Sequence, residues 1–195
     1  MANNMTEEKT VQPYEIGELD QYLFGNGTHY ELYKKMGAHL VTVDGVKGVY
    51  FAVWAPHAKS VSVIGEFNEW DLNADMMQRH DPMGIYTKFV PGAKEGQLYK
   101  FCIETQNGAK IDKADPFANY AELRPGNASR ITDISNLKWS DSSWMKKREK
   151  WDEKTNPMSI YEVHMGSWMR HPGREDEGFY TYREFAERIT EYVKD

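Results

Sequence analysis

Trp70 sits at the tip of a polar turn, in the run Gly65-Glu66-Phe67-Asn68-Glu69-Trp70-Asp71. Large aromatic side chains are ordinarily buried, so an indole among Glu, Asn and Asp calls for a partner. A sugar ring is one such partner: its C–H face stacks on indole while neighbouring polar groups take its hydroxyls. A core-facing position is the other. The remaining reactive side chains are sparse. Cys102 is the single cysteine, which excludes an internal disulfide, and it reads as a small residue within a strand. The six histidines do not cluster with carboxylates or Cys102 at metal-ligand spacing, so neither a metal nor a cofactor is expected.

Composition narrows the setting in which Trp70 could act. At 195 residues the chain has room for one full domain and part of another. Aromatic residues reach 13%, with six Trp and twelve Tyr, which suits a surface that stacks on something flat. The net charge of −6 argues against nucleic acid as a partner, because phosphate binding requires a basic stripe. The run Lys146-Lys147-Arg148, with Lys150 and Lys154, is broken by Glu149, Asp152 and Glu153 and reads as a solvated linker. No segment has the apolar length needed to cross a membrane, and Met1 to Thr10 is too polar for a signal peptide. A reducing, cytoplasmic setting is expected.

The elements that must position Trp70 are strands. Val49, Phe51 and Val53 alternate, as do Val61 and Val63, placing each set on one sheet face. Ile85 to Val90 and Leu98 to Glu104 predict further strands, separated by Pro91 to Gly96. Asn107-Gly108 predicts a hairpin with a type I′ turn. Short strands punctuated by turns predict a mainly β chain with an immunoglobulin-like antiparallel β-sandwich over residues 46–137. Trp54, within a strand, is expected in its core. Before the sandwich, residues 1–45 read as an extension in which Thr28-His29-Tyr30-Glu31 forms a capping box and a short helix ends at Gly37.

Residues 138–157 read as a linker, which Trp139 and Trp144 would staple to the sandwich. Residues 158–195 read differently. Ser159 to His164 predicts a buried strand, with His164 structural within it. Thr181-Tyr182-Arg183-Glu184 predicts a capping box for a helix with the stripe Tyr182, Phe185, Ala186, Ile189, Tyr192 and Val193. Strand, loop and amphipathic helix make the first βα unit of a parallel α/β domain. A single such unit cannot bury both faces, which predicts that the chain is a fragment of a longer protein.

Taken together, ordered short matches carry a resemblance. They are Tyr22-Leu23-Phe24, Leu32 to His39, Val53-Trp54-Ala55-Pro56, Gly65 to Asp71, Tyr99-Lys100-Phe101, Lys113 to Ala118, Trp139-Ser140-Asp141 with Trp144, and Ile160 to Trp168. In this order the chain resembles the N-terminal part of bacterial-type 1,4-α-glucan branching enzymes. The resemblance implies a family 48 carbohydrate-binding module and, from residue 158, the start of a truncated (β/α)8 barrel of glycoside hydrolase family 13. It also implies an α-1,4-glucan partner (glycogen or starch-like chains) and a second partner in the enzyme's own catalytic barrel.

For site residues the resemblance implies Trp70, stacking on glucose, and Lys100, hydrogen-bonding sugar hydroxyls. A second tryptophan of tight-binding modules has no counterpart in Asn107-Gly108-Ala109-Lys110. No catalytic residue is implied here. The family's two aspartates and glutamate lie on later strands, and retaining transfer needs two carboxyls about 5 Å apart. Related debranching or trehalose-forming enzymes carrying the same module, or a non-catalytic glucan-binding or interaction domain, are the alternatives. Gly166-Ser167-Trp168 and Gly37-Ala38-His39 favour branching.

Overall fold

The alternation read from the sequence becomes two facing sheets. The computed structural model describes residue 12 and residues 14–152, 154–174 and 178–194. The chain divides into two compact units, Met1–Leu137 and Lys138–Asp195.

The first unit is the sandwich. Helix α1 (Glu18–Gly25) and a single 3-10 turn (Leu32–Lys34) precede eight strands: β1 (Gly37–Val43), β2 (Val46–Trp54), β3 (Ser60–Gly65), β4 (Gln78–His80), β5 (Ile85–Pro91), β6 (Leu98–Glu104), β7 (Lys110–Lys113) and β8 (Ser129–Arg130). One sheet runs β1-β2-β5-β4 and the other β3-β6-β7, with β8 also pairing with β6. All named pairings are antiparallel. The immunoglobulin-like reading is met by this arrangement. Val49, Phe51, Val53, Val61, Val63, Tyr99 and Phe101 interdigitate between the sheets and are buried. Each contributes about 1.5–3 kcal/mol of hydrophobic stabilisation.

The strand registers explain where the sequence reading of tryptophan fails. Because Val49, Phe51 and Val53 face inward, Tyr50, Ala52 and Trp54 face outward. The N-terminal segment covers that outer face, with Ile16 and Met36 burying Tyr50 and Ala52. Coverage ends at Trp54, which is 54% exposed rather than a core residue. Its indole N–H donates to the Met83 carbonyl (2.9 Å), and the Phe24 ring meets it edge-on at 5.8 Å.

A buried polar cluster ties the second sheet to the chain after β7. Tyr99 donates its hydroxyl to Asp115 Oδ2 (2.6 Å), the Phe117 amide donates to Asp115 Oδ1 (2.8 Å), and the Asp115 amide donates to Ser129 Oγ (2.8 Å). Burial raises the Asp115 carboxyl above the usual carboxylate range, against the hydrogen bonds from Tyr99 and Phe117. Burial and the neighbouring Asp115 likewise push the Tyr99 phenol up.

Three local expectations change. The capping box at Thr28 does not form; the Thr28 hydroxyl donates back to the Leu23 carbonyl, and Glu31 pairs with Lys34. The helix lies earlier, as α1, where Asp20 Oδ2 accepts from the Gly17 amide (2.8 Å) and the chain leaves through Asn26 and Gly27. Residues 37–43 are strand β1, and its turn to β2 has positive φ at Asp44 (50°) and Gly45 (80°). That is the I′ pattern expected instead at Asn107-Gly108. There the hairpin forms, but only Gly108 has positive φ (83°), and Gly108 donates to the Thr105 carbonyl. This is a type I turn closed by a left-handed glycine.

The second unit holds helices α2 (Ser142–Arg148), α3 (Met165–Trp168) and α4 (Tyr182–Tyr192). The expected linker therefore contains a helix, and the whole of α2 is exposed, as are Trp139 and Trp144. The capping box at α4 forms as read: the Thr181 amide donates to Glu184 Oε2 (2.8 Å) and the Glu184 amide donates to Thr181 Oγ1 (3.3 Å). Phe185 and Tyr192 pack on Trp168, while Tyr182 points away and is exposed.

Ser159 to His164 forms no strand. A parallel barrel strand takes its backbone partners from neighbouring strands, and none of the described residues supplies one. His164 instead caps α3: the Ser167 and Trp168 amides donate to its carbonyl, and its Nδ1 meets Ser167 Oγ at 2.9 Å.

Candidate functional site

Strand β3 delivers the chain into the turn that carries Trp70, and most of the turn's residues are consumed in building it. Gly65 is required by close approach, since a Cβ there would lie 2.4 Å from the Leu98 carbonyl oxygen. Glu66 accepts the Leu98 amide (2.9 Å), tying the turn to the start of β6. Phe67 points inward, with its ring 5.5 Å from Phe51. Asn68 is the hub: its Oδ1 accepts from the Gly65 amide (2.9 Å), and its Nδ2 donates to the Val63 carbonyl (3.0 Å) and Asp75 Oδ2 (2.8 Å). Asp71 caps the Asn73 amide at 2.8 Å.

Trp70 is left over from this scaffold. Its amide donates to the Gly65 carbonyl (2.9 Å), which closes the turn. Glu69 (φ 54°) and Trp70 (φ 62°) are both left-handed. Each such residue costs about 1–2 kcal/mol relative to ordinary backbone, and glycine would relieve that cost. The Trp70 side chain is 37% exposed, and among the described residues its ring has no aromatic partner and its N–H no acceptor. Of the two sequence readings, core-facing or outward-stacking, the geometry gives a partly exposed indole held on strained backbone.

Lys100 lies on β6 opposite Ile64, one position from the Gly65–Tyr99 pair at the base of the turn. Tyr99 and Phe101 point into the core, so Lys100 and Cys102 point to the outer face. Among the described residues Lys100 has no ion-pair partner. The same face continues through Ser62, whose hydroxyl donates to the Leu72 carbonyl (2.7 Å), and Lys110, whose Nζ donates to Asn73 Oδ1 (3.2 Å). Strand β3 thus leads from the partner of Lys100, Ile64, directly into the turn that carries Trp70. A recess on this sheet, floored by Ser62 and Cys102, has about 30 Å³. That volume suits a water molecule rather than a sugar. No cluster of His, Cys, Asp or Glu among the described residues could hold a metal ion.

Sequence reasoning missed the outward ring of Trp54, although strict alternation from Val53 carried that signal. It also missed Asn68 as the hub of the turn and the cleft that β1 forms with later segments.

Residues 35–118 match the family described as Carbohydrate-binding module 48 (Isoamylase N-terminal domain). The chain is 57% identical over 180 residues to a protein named 1,4-alpha-glucan branching enzyme GlgB from Butyrivibrio fibrisolvens, covering 92% of this chain and 28% of that one. It is 49% identical to the protein of the same name from Rhodopirellula baltica, covering 95% and 26%. The chain spans about a quarter of the length of the relatives it matches. Among solved structures, a pullulanase from Bacillus acidopullulyticus matches 51% of this chain and 12% of its own, at 24% identity and a TM-score of 0.42.

Proposed function

We propose that this chain is the N-terminal glucan-binding portion of a 1,4-α-glucan branching enzyme, with Trp70 and Lys100 as the residues that contact the sugar. The observation that carries this reading is Trp70: a partly exposed indole, on left-handed backbone, in a turn whose other residues are spent on holding it there. Strain persists where the surrounding structure over-determines it, and it concentrates at ligand clamps. A glucose ring would lay its C–H face on the indole, and the Lys100 ammonium would donate to ring hydroxyls. By analogy with stacking on nucleic-acid bases, the first contact is worth about 1–3 kcal/mol. A lysine hydrogen bond adds about 1 kcal/mol. Contacts of that size correspond to a dissociation constant of about 1 mM or weaker for one site. A polymer presenting many equivalent chain ends raises this by avidity.

In this reading the module captures α-1,4-linked chains. Cleavage of α-1,4 linkages and formation of α-1,6 linkages, by retaining transfer, belongs to the catalytic barrel that is the module's second partner. The setting is cytoplasmic, with no nucleic-acid or membrane partner; the net charge of −6 supports the former, and no described helix is long and apolar enough to cross a membrane.

Affinity electrophoresis in gels containing glycogen tests the assignment. The wild-type chain should be retarded, and Trp70→Ala should weaken binding by about 5- to 150-fold, the equivalent of about 1–3 kcal/mol. Trp70→Gly should lose the same retardation while gaining thermal stability, since glycine adopts positive φ without strain. Equal mobility of all three proteins would remove Trp70 from the binding role.

A further inference from the structure

The sandwich has a second recess, remote in sequence from the Trp70 turn. It lies along β1, the edge strand of its sheet, and is walled by the 3-10 turn on one side and by the segment after β8 on the other. Its volume is about 380 Å³, within the range of small-molecule sites at roughly 300–1,000 Å³. The residues that define its chemistry are Tyr33, His39, Leu40, Asn119, Asp133 and Ile134.

Their pattern is amphipathic, with the single carboxylate of Asp133 among otherwise uncharged groups. Leu40 and Ile134 are exposed apolar surface, and Tyr33 is 59% exposed, its ring without an aromatic partner among the described residues and with the Lys34 ammonium 5.9 Å from its centroid. An exposed aromatic wall over an apolar floor fits the C–H face of a pyranose. The polar groups fit its hydroxyls. The Asn119 carboxamide is exposed, with neither its donor nor its acceptor engaged among the described residues. His39 Nε2 lies 2.9 Å from the Met36 carbonyl, which places the ring proton on Nε2 and leaves Nδ1 an acceptor. Asp133 already accepts from the Ser135 amide (2.8 Å) and from Asn136 Nδ2 (3.2 Å), and the contacts with Ser135 hold its carboxyl below the usual range.

Charge excludes the obvious rivals. The cation at the rim, Lys34, is paired with Glu31, so among the described residues the cleft offers an anion no free positive charge. Asp133 stands without a second carboxylate in the lining, which is too little for a cation. Mixed donors and acceptors beside apolar and aromatic surface select a neutral polyhydroxylated ligand. The outer side of β1, unpaired within its sheet, adds backbone amides and carbonyls of the same mixed kind.

We infer that this cleft is a second carbohydrate-binding site of the sandwich, occupied by an α-1,4-linked glucan segment. The identity of the sugar rests on the function proposed above; the existence and chemistry of the cleft do not.

Isothermal titration with maltoheptaose tests it, using the whole chain. In a Trp70→Ala, Lys100→Ala background, sugar binding should persist. Adding Asn119→Ala and Tyr33→Ala should weaken that residual binding by about fivefold or more, the lower bound for one lost stacking contact. Tyr33→Phe should retain it, because the ring and not the hydroxyl does the stacking. Both positions are exposed, so the fold is expected to tolerate these changes, and unchanged circular dichroism checks this. Absence of residual binding in the Trp70→Ala, Lys100→Ala background would overturn the second site and leave the first intact. Residual binding indifferent to Asn119 and Tyr33 would also overturn it. A wild-type chain that binds no maltoheptaose and is not retarded by glycogen would refute the glucan reading itself.

Discussion

Asp115→Ala is expected to destabilise the sandwich by about 2–4 kcal/mol, more than any change at Trp70 or Lys100. The carboxylate satisfies the Tyr99 hydroxyl and the Phe117 amide, and alanine leaves both buried without an acceptor. A domain of this size has about 5–15 kcal/mol in total, so the loss would lower the urea midpoint markedly. Asp115→Asn separates hydrogen bonding from charge. Its Oδ1 still accepts the Phe117 amide, and its Nδ2 can donate to the Tyr99 oxygen once that hydroxyl turns.

The pH dependence has a definite sign. Burial raises the Asp115 carboxyl in the folded chain. A raised carboxyl favours folding in its protonated form, so that contribution is fully present below the unfolded value, about 3.9. It is lost as pH rises through the folded value. Wild type should therefore lose stability relative to Asp115→Asn as the solution is taken from acid toward neutrality. Urea titrations of the two proteins at several pH values measure this difference directly. A gap that is flat with pH, or that widens in favour of wild type toward neutrality, would show that Asp115 is not held as described.

Asn68→Ala carries the second large effect, about 2–3 kcal/mol from three lost hydrogen bonds of about 1 kcal/mol each. It should also abolish glucan binding, since the Gly65 amide, the Val63 carbonyl and Asp75 lose the group that closes the turn. Asn68→Asp is the more telling variant. It keeps the acceptor for Gly65 but sets a second carboxylate against Asp75 and the Val63 carbonyl. At neutral pH it should be at least as damaging as alanine. It should recover below about pH 4, where carboxylates protonate. Chemical denaturation and glycogen retardation, run side by side at pH 7 and pH 4, read both consequences. If the Asn68→Asp protein were as stable as wild type at pH 7, Asn68 would lose its place as hub.

Much of the sandwich was legible because its strands are half-buried. Val49, Phe51 and Val53 alternate, the structure buries all three, and β6 runs from Leu98 to Glu104 as the sequence reading has it. The elements that were not legible are those whose burial depends on distant segments. Strand β1 has only one buried residue among the seven from Gly37 to Val43, so its alternation is weak, and its clearest mark was the Asp44-Gly45 turn. Helix α1 buries none of its residues and is announced chiefly by Asp20 three positions after Gly17. At the candidate site, the turn could be recognised from its residue types. The strain at Trp70 and the hydrogen bonds of Asn68 could not, because Asp75 returns to Asn68 only after the chain reverses. The cleft along β1 was invisible for the same reason, since Tyr33, Asn119 and Asp133 come from three separate stretches.

The central claim is that α-glucan rests on the outer face of the β3-β6-β7 sheet, against Trp70 and Lys100. The most direct test is a nitrogen-15 NMR titration of the chain with maltoheptaose, with the Trp70 indole resonance assigned by Trp70→Phe. Saturable shifts of that indole and of the amides of Gly65–Asp71 and Leu98–Cys102 are the predicted result. A titration in which maltoheptaose binds while these resonances stay fixed would contradict the account.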